Sequence, residues 1–78
     1  MKIKIGEVYL VTFLDHSLGD CKMDELQVQV VGWIYKSNKK IVKVMHWRAF
    51  DENGNLALAD CEIVTILRPA IVSAKLLS

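Results

Sequence analysis

The chain has 78 residues, of which 53% are hydrophobic and 24% charged, and its formal net charge at pH 7 is +1. So short a chain supports one hydrophobic core, and we expect a single domain over residues 1–78. The balanced charge argues against duplex nucleic acid or a membrane surface as the partner, because both usually require a basic face. No stretch approaches the length of a membrane span, and we expect a cytoplasmic protein.

The first half of the chain predicts two strands separated by a long loop. Residues 7–14 (EVYLVTFL) are rich in β-branched and aromatic side chains, which favours a strand. Residues 15–25 are polar and contain a glycine, so they predict a loop. Residues 26–35 begin with strict alternation of apolar and polar side chains, the pattern of a half-buried strand. Gly32 inside that strand predicts a bulge or a sharp bend.

The second half predicts a hairpin arm, a turn and another strand. Residues 36–39 (KSNK) form a polar turn, and residues 40–50 (KIVKVMHWRAF) return as the second arm of the hairpin. Residues 51–55 (DENGN) contain Asn-Gly, a strong signal for a tight turn. Residues 61–67 (CEIVTIL) are again rich in β-branched side chains and predict the fourth strand.

The C-terminal segment allows two interpretations. A helix whose first position is Pro69 is one of them. The other is a short 3-10 turn at Arg68–Ala70 followed by a final strand, residues 71–77. We prefer the strand because Ile71 and Val72 are β-branched and Ser73 is a poor helix former.

An all-β chain with five strands in this order resembles the small SH3-like or Sm-like β-barrel. It is also similar to short barrel proteins encoded by phages and prophages, through Val31-Gly32-Trp33, His46-Trp47-Arg48 and residues 63–72. The resemblance implies a five-stranded barrel whose edge strands join between subunits, with pockets at the subunit boundaries. It also implies expression in the cytoplasm of a host bacterium.

The hydrophobic content independently suggests self-association. The mean hydropathy is +0.27, and a small domain buries only about 60% of the surface of its unfolded chain. The last predicted strand is apolar in both alternating sets, which exposes it to aggregation unless it is paired or covered. We therefore expect a homo-oligomer, whose size the sequence leaves open.

The predicted hairpin concentrates the candidate ligand-binding residues. Stacked aromatic rings and neighbouring cations are the usual means of holding a nucleotide. Core packing is the competing explanation for the tryptophans. Two orientations of His46 and Arg48 are possible. Strict alternation directs their side chains toward the core. With a bulge, Met45 and Trp47 are buried instead, and His46 and Arg48 face solvent. The candidate ligand-binding residues are Trp33, Tyr35, Lys36, His46, Trp47 and Arg48, joined by His16 from the first loop.

Catalytic and metal chemistry are not indicated. Asp15, His16 and Ser17 are adjacent in sequence, whereas catalytic triads converge in space. Cys21 and Cys61 lack the paired spacing of a zinc site. We interpret them as free thiols, with a single disulfide as the alternative. We expect no enzymatic activity, no metal and no cofactor.

Three hypotheses for function follow. The first is a non-enzymatic, phage-encoded protein that sequesters a small phosphorylated, nucleotide-like signal and so counters bacterial defence. The second is a protein–protein interaction or structural module of SH3-like type, since such barrels bind extended peptides in aromatic grooves. The third is Sm-like RNA binding, against which the balanced charge counts.

Overall fold

A computed structural model describes residues 2–15 and 26–78. Within this part of the chain the fold is all-β, with five strands in one antiparallel sheet and no α-helix. The strands are β1 (Val8–Asp15), β2 (Leu26–Ser37), β3 (Ile41–Trp47), β4 (Glu62–Leu67) and β5 (Ile71–Leu76). Two 3-10 turns accompany them, at Leu58–Asp60 and Arg68–Ala70. No helix in the described ranges is long and apolar enough to cross a membrane.

The sheet is open, with the order β4-β3-β2-β1-β5. β4 pairs with β3 and β5 pairs with β1, so both form edges. The all-β prediction with five strands is thus confirmed, whereas the described strands form an open sheet and not a closed barrel. The Arg68–Ala70 turn ends β4, and β5 then pairs with β1 at the far side of the sheet, so the two edge strands do not pair with each other.

The predicted C-terminal strand is confirmed, and the helical alternative is wrong. Residues 68–70 form the expected 3-10 turn with Pro69 in its first positions, and Ile71 begins a strand. Arg68 ties this turn to the β2–β3 hairpin. Its backbone N–H donates to the Lys40 carbonyl (2.9 Å), and its guanidinium donates to the Asn38 carbonyl (2.7 Å) and the Ser37 hydroxyl (2.7 Å).

The core lies on one face of the curled sheet, which we call the core face. Cross-strand partners share a face, and the pairs Val11–Val30, Ile34–Val44 and Val42–Ile66 bring the apolar alternating sets together. The opposite, outer face carries Trp33 and Met45, which also pair directly. The buried core cluster consists of Ile3, Tyr9, Val11, Phe13, Ile34, Val42, Val44 and Ile66.

Gly32 is required by a close approach of two strands. A Cβ at this position would stand 2.5 Å from the Met45 carbonyl oxygen and 2.9 Å from Val44 Cγ1. The register irregularity in this hairpin falls between Ile34 and Lys36, beyond Gly32. Gly32 thus lies where β2 and β3 approach each other closely, and the bulge that it predicted falls further along β2.

Candidate functional site

A pocket on the outer face joins three of the predicted ligand-binding residues. This Trp33 pocket has a volume of about 320 Å³, near the lower end of the range of about 300–1,000 Å³ for small-molecule sites. Trp33, Tyr35 and Arg48 all line it. The other lining residues are Ile5, Gly6, Ile34, Met45 and Leu56.

Backbone pairing builds the floor and one wall of the Trp33 pocket. Met45, which is 2% exposed, lies directly opposite Trp33 and forms the floor. The wall is the segment before β1: the Gly6 N–H donates to the Ile34 carbonyl (2.8 Å), and the Ile34 N–H donates to the Glu7 carbonyl (2.9 Å). These bonds hold Ile5 at the pocket beside β2.

The opposite wall comes from the hairpin that follows β3. Phe50 pairs with Leu56 in an isolated bridge, and the Ala57 N–H donates to the Ala49 carbonyl (2.8 Å). The intervening turn is the one predicted from Asn-Gly. Asp51 Oδ1 accepts from the N–H groups of Asn53 and Asn55, each at 2.9 Å. The turn returns the chain so that Leu56 reaches the pocket.

The guanidinium of Arg48 contacts two aromatic rings. Its central carbon lies 3.7 Å from the centroid of the Trp33 ring and 5.4 Å from that of the Phe50 ring. Both distances are within the range of cation–π attraction, for which Trp is the strongest ring. In the described part of the chain its N–H donors have no hydrogen-bond or ion-pair partner. The ring contacts thus orient a cation whose donor edge stays available.

The remaining candidates lie outside this pocket. A register shift between Met45 and Trp47 places a bulge at His46, and Trp47 pairs with Glu62. The bulge alternative is therefore half correct: Met45 is buried and both His46 and Arg48 are exposed, but Trp47 is 62% exposed. His46 Nε2 lies 3.4 Å from Glu62 Oε2, and His46 is not a lining residue of the Trp33 pocket.

Lys36 stands beyond the Trp33 pocket on the outer face, opposite Lys43. The turn lysines Lys39 and Lys40 are exposed at the hairpin tip, where Lys39 and Arg68 flank a shallow cavity. His16 and Cys21 lie outside the described residues. Cys61 is a free thiol whose Sγ donates to the Ala57 carbonyl at 3.3 Å.

Sequence reasoning missed part of the pocket. Leu56 could have been inferred from the turn that reverses the chain after Phe50. Ile5 carries no local signal, because only the pairing of residues 6 and 7 with Ile34 brings it there.

A cavity of about 360 Å³ is less suited to an anionic ligand: it is lined by residues of β1, β4 and the second 3-10 turn, with Asp15 as the charged group among its described lining residues. No three His, Cys, Asp or Glu side chains in the described ranges are grouped to hold a metal ion.

Comparisons with known proteins add no family: no family model, curated protein or solved structure matches this chain. The geometry of the Trp33 pocket is therefore the basis for assigning a function.

Proposed function

We propose that the protein binds a small phosphorylated, nucleotide-like ligand in the Trp33 pocket and holds it without chemical conversion. The observation that supports this proposal is the Arg48 guanidinium, stacked on Trp33 and lacking a polar partner among the described residues. A guanidinium with free in-plane donors matches a phosphate group in two parallel hydrogen bonds.

The aromatic part of the ligand has a place beside the same cation. Trp33 is half-buried and Tyr35 is exposed, and both line the cavity over the apolar floor of Met45. Stacking of one base on an aromatic side chain is worth about 1–3 kcal/mol. A base over this floor and a phosphate at Arg48 would therefore contact adjacent groups of the pocket.

Charge along the chain supports an anionic ligand at this hairpin. Residues 26–50 contain five Lys and Arg residues and no Asp or Glu, whereas residues 51–62 contain four acidic residues and no Lys or Arg. The net charge of the chain is only +1 because a basic hairpin is followed by an acidic segment. The local field at β2 and β3 favours anions.

Replacing Arg48 with glutamine is expected to weaken nucleotide binding at least tenfold. The variant loses a charge-assisted hydrogen-bond donor, an interaction worth about 1.5–3 kcal/mol. Isothermal titration with adenosine and the four mononucleotides, AMP, GMP, CMP and UMP, measures the effect. Nucleotides should bind wild-type protein more tightly than adenosine, because adenosine lacks the phosphate.

Lys75→Gln is the matched control, since it removes one cation from the same outer face on β5, where Lys75 pairs with Leu10. It should leave the affinity unchanged. Recovery of the bound nucleotide by chromatography should return it intact, as sequestration requires. The proposal fails if no nucleotide binds wild-type protein at millimolar concentration, or if both variants behave alike.

We further propose that the fold is of SH3-like or Sm-like type, and that copies associate through their edge strands. Leu67 on β4 and Val72 and Leu76 on β5 are exposed apolar residues on strands that pair on one side only with the other described strands. Unpaired edges of this kind readily add another strand. Self-association would also cover part of the apolar surface left by a small core.

Val72→Lys is expected to reduce the mass of the wild-type oligomer to that of a monomer, because a charge at a sheet edge opposes pairing with another strand. Sedimentation equilibrium across protein concentrations measures this mass. Val31→Lys makes the same change on the interior strand β2, at a residue of equal exposure (50%), and should retain the oligomer. A wild-type protein that sediments as a monomer throughout would contradict the proposal.

An interaction module for proteins is the second candidate function, and the exposure of Trp47 favours it. A tryptophan with 62% of its surface exposed at the end of β3 is a typical anchor residue for a protein partner. This function would replace the first if nucleotides fail to bind while a co-purifying protein is lost in Trp47→Ala.

A further inference from the structure

Two lysines face each other across the β2–β3 hairpin. Lys36 and Lys43 are direct partners in the register, and the next neighbour of Lys43, on β4, is the neutral Thr65. Like charges directly opposite one another destabilise a sheet. No acidic residue occurs between positions 26 and 50 to offset them. We call Lys36 and Lys43 the lysine pair.

The lysine pair lies on the same face as the Trp33 pocket. Lys43 and Met45 are two residues apart in a stretch of β3 whose pairing with β4 is regular, so their side chains share the outer face. Two residues span about 7 Å along a strand. The lysine pair therefore adjoins the floor of the pocket on the side of the hairpin tip.

Arg48 approaches the pocket from the other direction. Arg48 follows Met45 in the chain, whereas Lys43 precedes Met45. The guanidinium of Arg48 lies over the Trp33 ring. Arg48 is five positions after Lys43, which corresponds to at most about 17 Å of extended strand. Cations thus stand at two separate positions: Arg48 lines the pocket, and the lysine pair lies beyond its lining residues on the far side of Met45.

We propose that the ligand carries two phosphate groups and is a dinucleotide. This inference depends on the proposed function, since it concerns the same pocket. One phosphate contacts the Arg48 guanidinium, and the second lies between the ammonium groups of Lys36 and Lys43. A mononucleotide reaches one of these positions, whereas a dinucleotide reaches both and places a base between them.

The lysine pair gives this inference a distinctive signature. In the free protein the two ammonium groups repel each other, and a bound phosphate converts that repulsion into attraction to a shared anion. Lys43→Gln should therefore raise the melting temperature of the free protein by about 1–5 °C. The same variant should bind a two-phosphate ligand more weakly. A lysine with a purely structural role would not combine a gain in stability with a loss of affinity.

The test compares two probes that differ by one phosphate group. The adenylyl dinucleotide ApA has two bases and one phosphate, and pApA adds a second phosphate at the 5′ end. Isothermal titration should show pApA binding wild-type protein at least tenfold more tightly than ApA. That difference should vanish in Lys36→Gln and Lys43→Gln and persist in Lys75→Gln.

The outcomes separate this inference from the proposed function. If pApA and ApA bind equally well, and Arg48→Gln weakens both, the pocket binds one phosphate and the dinucleotide inference is overturned. An equal loss in Lys75→Gln would also overturn it, because a general charge effect would then explain the result. If neither probe nor any mononucleotide binds wild-type protein, the proposed function and the inference both fail.

Discussion

Ile34→Ala is expected to remove about 2–5 kcal/mol from the free energy of unfolding, the usual cost of deleting three carbons from a fully packed site. Ile34 is 1% exposed at the centre of the core face and lies opposite Val44. A 78-residue domain has a total stability of about 4–12 kcal/mol. The substitution thus removes a large part of that stability, or all of it.

Urea unfolding followed by tryptophan fluorescence measures the effect. The midpoint should fall while the m-value stays constant, since the surface exposed on unfolding hardly changes. Val31→Ala is the matched control, because Val31 lies three residues earlier on β2 and is 50% exposed. Its effect should stay within about 0.5 kcal/mol. Equal midpoints for the two variants would show that Ile34 is not a core residue.

Gly32→Val is expected to cost about 3 kcal/mol or more, at the upper end of what overpacking usually costs. The Cβ alone would stand 2.5 Å from the Met45 carbonyl oxygen, and this neighbour is backbone, which cannot rotate aside. β2 and β3 would have to separate next to the pair formed by Trp33 and Met45. The variant should therefore lose nucleotide affinity as well as stability.

Thermal unfolding and titration with AMP test both parts of this prediction. Ser73→Val serves as the control, since it adds the same side chain at an exposed strand position on β5. It should leave the melting temperature nearly unchanged. A stable Gly32→Val variant with unaltered affinity would show that the two strands do not approach as closely as described.

The strands themselves were predictable because their signals are local. Alternation in residues 26–30 and β-branched residues elsewhere favour strands. Asn-Gly and Pro69 interrupt them at turns through their own backbone preferences. Boundaries differ by at most three residues: β3 ends at Trp47 rather than at Phe50, where the bridge to Leu56 replaces regular pairing.

The candidate site was predictable only in part. Trp33, Tyr35 and Arg48 were identified from residue type and position within one hairpin, and they do share a pocket. Lys43 was overlooked as a ligand-binding residue because a lysine in an alternating strand usually just faces solvent. Its significance comes from the register, which places it opposite Lys36.

The sequence by itself determined an all-β chain, the positions of its five strands along the chain and the 3-10 turn before the last strand. Each of these features depends on side chains within a few residues. Only the tertiary structure decided that the sheet stays open, that a bulge exposes His46 and Trp47, and that Ile5 and Leu56 complete the Trp33 pocket. These features depend on the register between distant segments. A shift of one residue in pairing turns every side chain of a strand to the opposite face, and the register is set by the hydrophobic patterns and turns of both paired strands together.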